Sequence, residues 1–365
     1  MESAGTRRKS KSSARSCNNP PPEGDRVVAD MAQTHCPRLE GLVPWSREAD
    51  VQILMNSLIV RTGGISRRRL FRLALGAGTL ALTGGYSMAA SIIHRPIPRS
   101  GESLPVIGLG TWQTFDVGGD PAARAPLKEV LREFAQFGGS VIDSSPMYGS
   151  SESVVGDLAG ELKLRPKLFI ATKVWTTGRE AGIRQMEESF RRLRAEPIDL
   201  MQVHNLVDWR THLATLRRWK EQGKIRYIGM THYTASAYDD LARVVASEEI
   251  DFVQLNYSVA EREAERRLLP LAAEKRLAVL INRPFAGGPL FRKVLGKPLP
   301  GWAKEIGCAT WAQFFLKFVI SHPAVTCAIP ATSKVAHLTD NMQAGAGKIP
   351  DAGTREAMAK YIAGL

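Results

Sequence analysis

Four side chains with complementary proton chemistry lie at or just after the ends of three successive apolar segments. They are Asp143, Tyr148, Lys173 and His204. A phenol has an ordinary pKa of about 10, so it exchanges protons poorly near neutrality. A buried lysine beside it is expected to lower that pKa, a carboxylate keeps the lysine charged, and an imidazole can orient a carbonyl oxygen. This chemistry fits a reduction whose hydride comes from a nicotinamide, because no side chain supplies hydride.

Each of these residues has a simpler interpretation when it is taken alone. A lysine or histidine at a strand end is often a surface or hydrogen-bonded residue, and Asp143 before Ser144 and Ser145 could cap a helix. Four such groups at adjacent strand ends favour a shared site.

Short apolar segments alternate with amphipathic ones from residue 94 onward. The predicted strands are Val106–Leu109, Ser140–Asp143, Leu168–Lys173, Asp199–His204, Arg226–Met230, Asp251–Asn256, Leu277–Asn282 and Thr326–Ile329. The helical segments between them run over 127–137, 182–193, 213–219, 235–245, 264–273, 310–320 and 335–342. This alternation predicts an α/β fold, a (β/α)8 TIM barrel preceded by a short β-hairpin. A doubly wound open sheet is the competing fold, but the chain has no G-x-G-x-x-G motif after an early strand.

Residues 94–350 resemble the aldo-keto reductase superfamily. The resemblance is carried by the segments 104–112, 141–149, 171–173, 203–204 and 223–229. It implies that Tyr148 is the general acid, that Lys173 tunes it, that Asp143 pairs with Lys173, and that His204 orients the carbonyl. It also implies NADP(H) bound across the barrel mouth, with NAD(H) a weaker alternative and no metal.

The resemblance extends to a predicted cofactor site that departs from the family pattern at several positions. Asn282 stands where many members have a stacking aromatic residue, and His232 and His337 are further departures. By resemblance, the cofactor-binding residues are Gly110, Thr111, Trp112, Asp143, Thr231, His232, Gln254, Asn282, Arg283, Pro284, Phe285, Thr332, Ser333, Lys334, His337 and Asn341.

Apolar rings near the four polar groups predict a pocket for a largely hydrophobic carbonyl compound. Its predicted members are Trp112, Phe115, Met147, Trp175 and Trp209, although one or two of them could simply pack under loops. Two other functions remain open. One is a nucleotide-binding accessory or sensor protein with little turnover, and the other is an isomerase or lyase that uses Lys173 as a Schiff base.

The N-terminal quarter of the chain is compositionally different from the rest. Residues 1–54 are polar and broken by prolines, and they predict a disordered or untranslated extension. Residues 55–90 contain Ser66-Arg67-Arg68-Arg69-Leu70-Phe71-Arg72, a short apolar run and small residues, in the order of a twin-arginine signal peptide. An ordinary secretory signal or an uncleaved anchor is the alternative. We therefore expect a bacterial protein exported, for instance to the periplasm, by the twin-arginine machinery, with no stable membrane span in its mature form.

Bulk composition excludes other classes. The net charge is +13, but about half of it falls within residues 1–72 and the rest is scattered, so nucleic-acid binding is not expected. The four cysteines have no metal-ligand spacing, and Cys308 and Cys327 are predicted to pack in the core. Residues 351–365 are predicted to form a C-terminal helical tail.

Overall fold

The computed structural model describes residues 91–365 of the chain. The predicted extension over 1–54 and the predicted signal peptide over 55–90 lie outside the described residues. Among the helices within 91–365, none combines the length and the apolar character needed to cross a bilayer.

Ten strands and ten α-helices make up the described part of the chain, and most alternate along it. In chain order they are β1 (His94–Pro96), β2 (Ser103–Pro105), β3 (Leu109–Gly110), α1 (Pro121–Gln136), β4 (Val141–Asp143), α2 (Ser151–Glu161), β5 (Phe169–Val174), α3 (Arg179–Leu193), β6 (Ile198–His204), α4 (Trp209–Glu221), β7 (Ile225–Thr231), α5 (Tyr238–Ser247), β8 (Phe252–Asn256), α6 (Leu268–Glu274), β9 (Ala278–Asn282), α7 (Pro289–Lys293), α8 (Trp311–Ile320), β10 (Cys327–Ala328), α9 (Val335–Ala344) and α10 (Ala352–Ala363). Short 3-10 segments lie at Arg165–Lys167, Ala235–Ala237, Glu263–Arg266 and Gly301–Ile306.

The eight strands β3 to β10 form one parallel sheet in sequential order. Two isolated parallel bridges, Ile107 to Ala328 and Gly110 to Ala331, join the first and last strands and close the sheet into a barrel. The predicted TIM barrel is therefore confirmed, and the open doubly wound sheet is wrong. The antiparallel hairpin of β1 and β2 precedes the barrel, as the sequence predicted.

Inward and outward side chains alternate along each barrel strand, because successive residues of a strand point to opposite faces. On β5, Phe169 and Ala171 belong to the apolar cluster inside the barrel, whereas Ile170 and Val174 belong to the cluster between barrel and helices. The hairpin residues Ile97 and Leu104 join the inner cluster. The hairpin therefore packs against the barrel interior at the end opposite the strand carboxyl termini.

Candidate active site

The carboxyl ends of β4, β5 and β6 bring the four predicted proton-transfer residues together. The Lys173 Nζ donates to Asp143 Oδ2 at 2.6 Å and to the Ser144 carbonyl at 2.7 Å. The same Nζ lies 5.1 Å from the centroid of the Tyr148 ring. The rings of Tyr148 and His204 meet edge to face with centroids 5.9 Å apart. Strand order positions them, since parallel neighbours place their carboxyl ends on one rim.

Burial and charge act against each other at this cluster. Burial raises the pKa of Tyr148 above its ordinary value, Lys173 opposes that effect, and Asp143 adds to it. Lys173 lowers the pKa of the phenol as expected, but desolvation is the larger influence and the net pKa is raised. For Lys173, burial lowers the pKa, but Asp143 and Tyr148 outweigh it and the net pKa is raised. The pair is thus a buried ammonium and a carboxylate beside a protonated phenol.

His204 is neutral in this environment. Burial, with smaller effects from Lys173 and His232, lowers the pKa of His204 to about 2. Its Nδ1 lies 3.1 Å from the Ser145 hydroxyl, and that hydroxyl accepts a hydrogen bond from the Met147 backbone N–H at 3.4 Å. If the hydroxyl proton goes to Nδ1, Nε2 carries the ring proton and can donate it.

Two buried glutamines complete the network inside the barrel. Gln202 Nε2 and Gln254 Nε2 both donate to Asp143 Oδ1, at 3.1 Å and 2.8 Å. Gln254 Oε1 in turn accepts from the Thr231 hydroxyl at 3.3 Å and from Asn282 Nδ2 at 3.4 Å. The buried Oδ1 of Asn282 has no hydrogen-bond partner within residues 91–365. Among the predicted cofactor residues, Gln254 therefore contacts Asp143 directly, and Thr231 and Asn282 are linked to Asp143 through Gln254.

Sequence reasoning missed Gln202 and Ser145. Gln202 lies two residues before His204 on the same strand, so the two-residue period of a strand places both side chains inside the barrel. That signal was available in the sequence. Ser145 lies within the segment that carries the resemblance, but only the folded geometry shows it against the imidazole.

Other predicted cofactor residues follow β3, β9 and β10. Thr111 donates to the Asp143 carbonyl, and Trp112 beside it is 40% exposed. After β9, the Arg283 guanidinium lies 6.0 Å from the ring of Tyr233, a half-exposed residue that sequence reasoning did not select. Pro284 is buried, and Phe285 packs on Phe291 with ring centroids 4.9 Å apart.

The segment after β10 leads directly into a helix. The Thr332 hydroxyl accepts from the Lys334 N–H at 3.1 Å, and Lys334 is the N-cap of α9. Ser333 is partly buried, His337 is exposed on α9 and Asn341 is buried on it. The first backbone N–H groups of a helix and a lysine are suited to an anionic group such as a phosphate.

The residues of the predicted substrate pocket differ in their exposure. Trp112, Met147 and Trp175 are each about 40% exposed, and the Trp175 ring lies 6.4 Å from that of His204. Trp209 is half-buried and packs against the hydrophobic core, with the Arg210 guanidinium 4.3 Å from its ring. Phe115 corrects the prediction, because its side chain is fully buried in the core and presents no surface to a ligand.

Within residues 91–365, no group of three or more His, Cys, Asp or Glu side chains could hold a metal ion. Cys308 and Cys327 are both buried, as predicted.

The carboxyl rim of the barrel thus holds a buried ammonium, a carboxylate, a phenol and an imidazole in one cluster. The model of the aldo/keto reductase family matches residues 106–360, and the chain belongs to that family.

Curated relatives and solved structures agree with this assignment. The methylglyoxal reductase YeaE of Escherichia coli strain K12 is 31% identical over 247 residues, which cover 66% of this chain and 84% of the relative. The NADH-specific methylglyoxal reductase of the same organism is 28% identical over 242 residues, covering 57% of this chain and 72% of the relative. The structure of an aldo-keto reductase from Klebsiella pneumoniae in complex with NADPH superposes with a TM-score of 0.61 at 28% identity, covering 72% of this chain and 92% of that one.

Proposed function

We propose that this protein reduces an aldehyde or ketone to an alcohol, with NADPH as the preferred hydride donor and Tyr148 as the general acid. The observation that carries the proposal is the Lys173 ammonium, bonded to Asp143 at 2.6 Å and 5.1 Å from the centre of the phenol ring. Burying a charged pair this deeply is costly, and a pair of apolar residues would pack at least as well, so a catalytic role explains the pair better than packing does.

Each residue of the cluster has a distinct task in the proposed reaction. The Tyr148 hydroxyl gives its proton to the carbonyl oxygen as negative charge develops there. Lys173 stabilises the phenolate that remains, and Asp143 keeps Lys173 charged. Neutral His204 donates from Nε2 to the same carbonyl oxygen and so fixes its position.

The residues on the rim fit a nicotinamide dinucleotide. Lys334, the N-terminus of α9 and Arg283 offer cationic and N–H donors for its phosphates, and Thr231, Gln254 and Asn282 offer amide and hydroxyl groups near the reacting centre. When bound, the dinucleotide supplies the hydride. The Klebsiella pneumoniae structure is a complex with NADPH, which favours that cofactor, and the NADH-specific relative from Escherichia coli is a reason to test NADH as well.

The exposed rings of Trp112 and Trp175 and the side chain of Met147 support a small or apolar carbonyl substrate. The names of two relatives make methylglyoxal a suitable first substrate. Hydrophobic aldehydes extend the test. Export through the twin-arginine signal within 55–90 stays a prediction.

Replacing Tyr148 by Phe tests the proposed acid. We expect kcat/KM for NADPH-dependent methylglyoxal or aldehyde reduction to fall about 10²–10⁴-fold, because proton donation is lost. NADPH affinity, measured from nicotinamide fluorescence, is expected to change less than about threefold, because only one hydroxyl is removed.

Tyr257→Phe is the matched control. It removes another buried phenol hydroxyl, which donates to Glu265 Oε1 at 2.5 Å and lies outside the cluster. This variant is expected to preserve turnover. Unchanged turnover in Tyr148→Phe would eliminate the proposed acid. Tight NADPH binding by the wild type without reduction of any carbonyl would favour the nucleotide-binding accessory function.

A further inference from the structure

Gln202 lies at the centre of the barrel network, and the family resemblance gave it no role. In the sheet register, Gln202 lies beside Lys173 of β5 and Gly229 of β7, and its side chain is fully buried. A Cβ atom at Gly229 would lie 2.8 Å from the Gln202 Cγ. Glycine at that position therefore leaves the room in which the glutamine side chain crosses the barrel toward Asp143.

The two oxygens of Asp143 have different partners. Oδ2 accepts from Lys173, whereas Oδ1 accepts from both Gln202 and Gln254. A carboxylate can only accept, so each amide must present its NH2 group to it, which fixes the orientation of both glutamines. Donors on Oδ1 stabilise the anionic carboxylate and hold Oδ2 toward the lysine.

The two glutamines differ in what lies on their other side. Gln254 Oε1 contacts Thr231 and Asn282, which face the proposed cofactor site. Gln202 Oε1 accepts only from Gln254, at 3.4 Å, within residues 91–365. Gln254 can therefore exchange its partner when a ligand arrives, whereas the side chain of Gln202 has no hydrogen-bond partner outside the network within residues 91–365 and stays on Asp143.

We propose that Gln202 is a positioning residue for proton transfer, which holds Asp143 so that Lys173 stays charged and directed at Tyr148. The inference rests on the proposed carbonyl reduction and deepens it. Gln202 touches neither substrate nor cofactor in this assignment, and it acts through Asp143.

The expected direction of the effect follows from the charges around the phenol. Asp143 raises the pKa of Tyr148 and Lys173 lowers it. The Gln202 N–H offsets part of the charge of Asp143 and holds its Oδ2 toward Lys173. Removing it therefore strengthens the influence of Asp143 on the phenol and leaves Lys173 less firmly directed at Tyr148. Both changes raise the pKa of Tyr148 further. Reduction needs the protonated phenol and alcohol oxidation needs the phenolate, so both pH profiles move to higher pH.

The experiment compares Gln202→Leu, Gln202→Glu and the control Met201→Leu, which alters the buried neighbour on the outward face of β6. For Gln202→Leu, we expect the alkaline limb of kcat/KM for reduction to move up by about 0.5–1 pH unit, which corresponds to one hydrogen bond. Alcohol oxidation near neutrality is expected to fall about 3–10-fold by the same conversion. Gln202→Glu is expected to shift the limb further in the same direction, and Met201→Leu to leave it in place.

If Gln202→Leu were active with the wild-type pH profile but had a lowered melting temperature, Gln202 would be only a structural residue. That result would overturn the inference. A second measurement does not depend on turnover. The ultraviolet difference titration of Tyr148, taken against Tyr148→Phe, is expected to move to higher pH in Gln202→Leu. If the wild-type protein reduced no carbonyl but the Tyr148 titration moved to higher pH in Gln202→Leu, the proposed reaction would be wrong and the positioning role would be supported. If the titration did not move in Gln202→Leu, the positioning role would be refuted.

Discussion

The inside of the barrel changes character within four residues of a single strand. On β5, the inward residues Phe169 and Ala171 belong to an apolar cluster, and the next inward residue, Lys173, is a fully buried ammonium. The same change occurs on β6 from Leu200 to Gln202 and on β8 from Phe252 to Gln254. The amino half of the barrel, the lower layer, is thus packed like a core. The carboxyl half, the upper layer, holds a hydrogen-bonded network.

The difference shows how one scaffold serves both stability and chemistry. Apolar side chains in the lower layer interdigitate, as with the rings of Phe169 and Tyr227, whose centroids are 5.9 Å apart. The upper layer satisfies its buried charges by mutual contacts, because an unpaired charge there would be costly. The loops that follow the carboxyl ends of the strands add Tyr148 and the exposed rings of Trp112 and Trp175 to this half of the barrel.

Replacing Lys173 by Met is expected to have the largest effect. Without the ammonium, the phenolate is not stabilised, and kcat/KM should fall about 10²–10³-fold or more. Asp143 is left buried without its countercharge, which is expected to lower the free energy of unfolding by about 3–5 kcal/mol. Steady-state kinetics and urea denaturation measure the two effects.

Lys317 provides a matched control for that prediction. It is also fully buried, but it donates at 2.8 Å to the carbonyls of Ala346 and Lys348, away from the barrel mouth. Lys317→Met should therefore lose stability and keep kcat/KM. If both variants lost turnover equally, the upper layer would have no special catalytic role.

Phe169→Ala tests the lower layer on the same strand. Truncating this buried ring should cost about 3–5 kcal/mol of unfolding free energy, from lost burial and the cavity left behind. We expect kcat/KM at a temperature where the variant is folded to stay within a few fold of wild type. A rate loss comparable to that of Lys173→Met would show that the two layers are not separable.

The last expected effect is a dependence of stability on pH, and it concerns His204, the last inward residue of β6. Burial holds its pKa at about 2, below the ordinary value of 6.5, so the unfolded chain binds a proton that the folded protein excludes. Stability from this group is complete above about pH 6.5 and is lost as pH falls toward 2, by at most about 1.4 kcal/mol per pH unit. His204→Gln should flatten the dependence of unfolding free energy on pH between 4 and 6, measured by denaturation at each pH. An unchanged slope would mean that His204 titrates normally in the folded protein.

Much of the fold could be predicted from the order of short apolar segments. The predicted carboxyl ends at Asp143, His204, Asn256 and Asn282 agree with the structure. Strands β3, β5 and β7 each run one residue further, to Gly110, Val174 and Thr231, and β10 ends one residue earlier, at Ala328. The four matching ends were predictable because a polar residue follows an apolar run at each of them.

Helix α2 was missed, for a physical reason. Its sequence contains Gly156 and Gly160, which lower helix propensity, and its buried face includes the polar residues Ser151 and Glu152. A Cβ atom at Gly156 would lie 2.1 Å from the Arg192 carbonyl oxygen. The buried face of α2 also carries the apolar residues Val154, Val155, Leu158 and Ala159 at helical spacing, so part of the signal was present in the sequence. The close packing of Gly156 against α3 is visible only in the fold.

The sequence by itself determined the barrel and the identities of Asp143, Tyr148, Lys173 and His204, because strand order places successive carboxyl ends on one rim. Only the tertiary structure decided how these groups are tuned. Burial, and not the lysine, has the larger effect on the phenol, and it also keeps His204 neutral. The glutamines on Asp143 come from strands that are distant in the chain, so their convergence depends on barrel closure. Phe115 is in the core for the same reason: exposure is a property of the packed molecule and not of residue type.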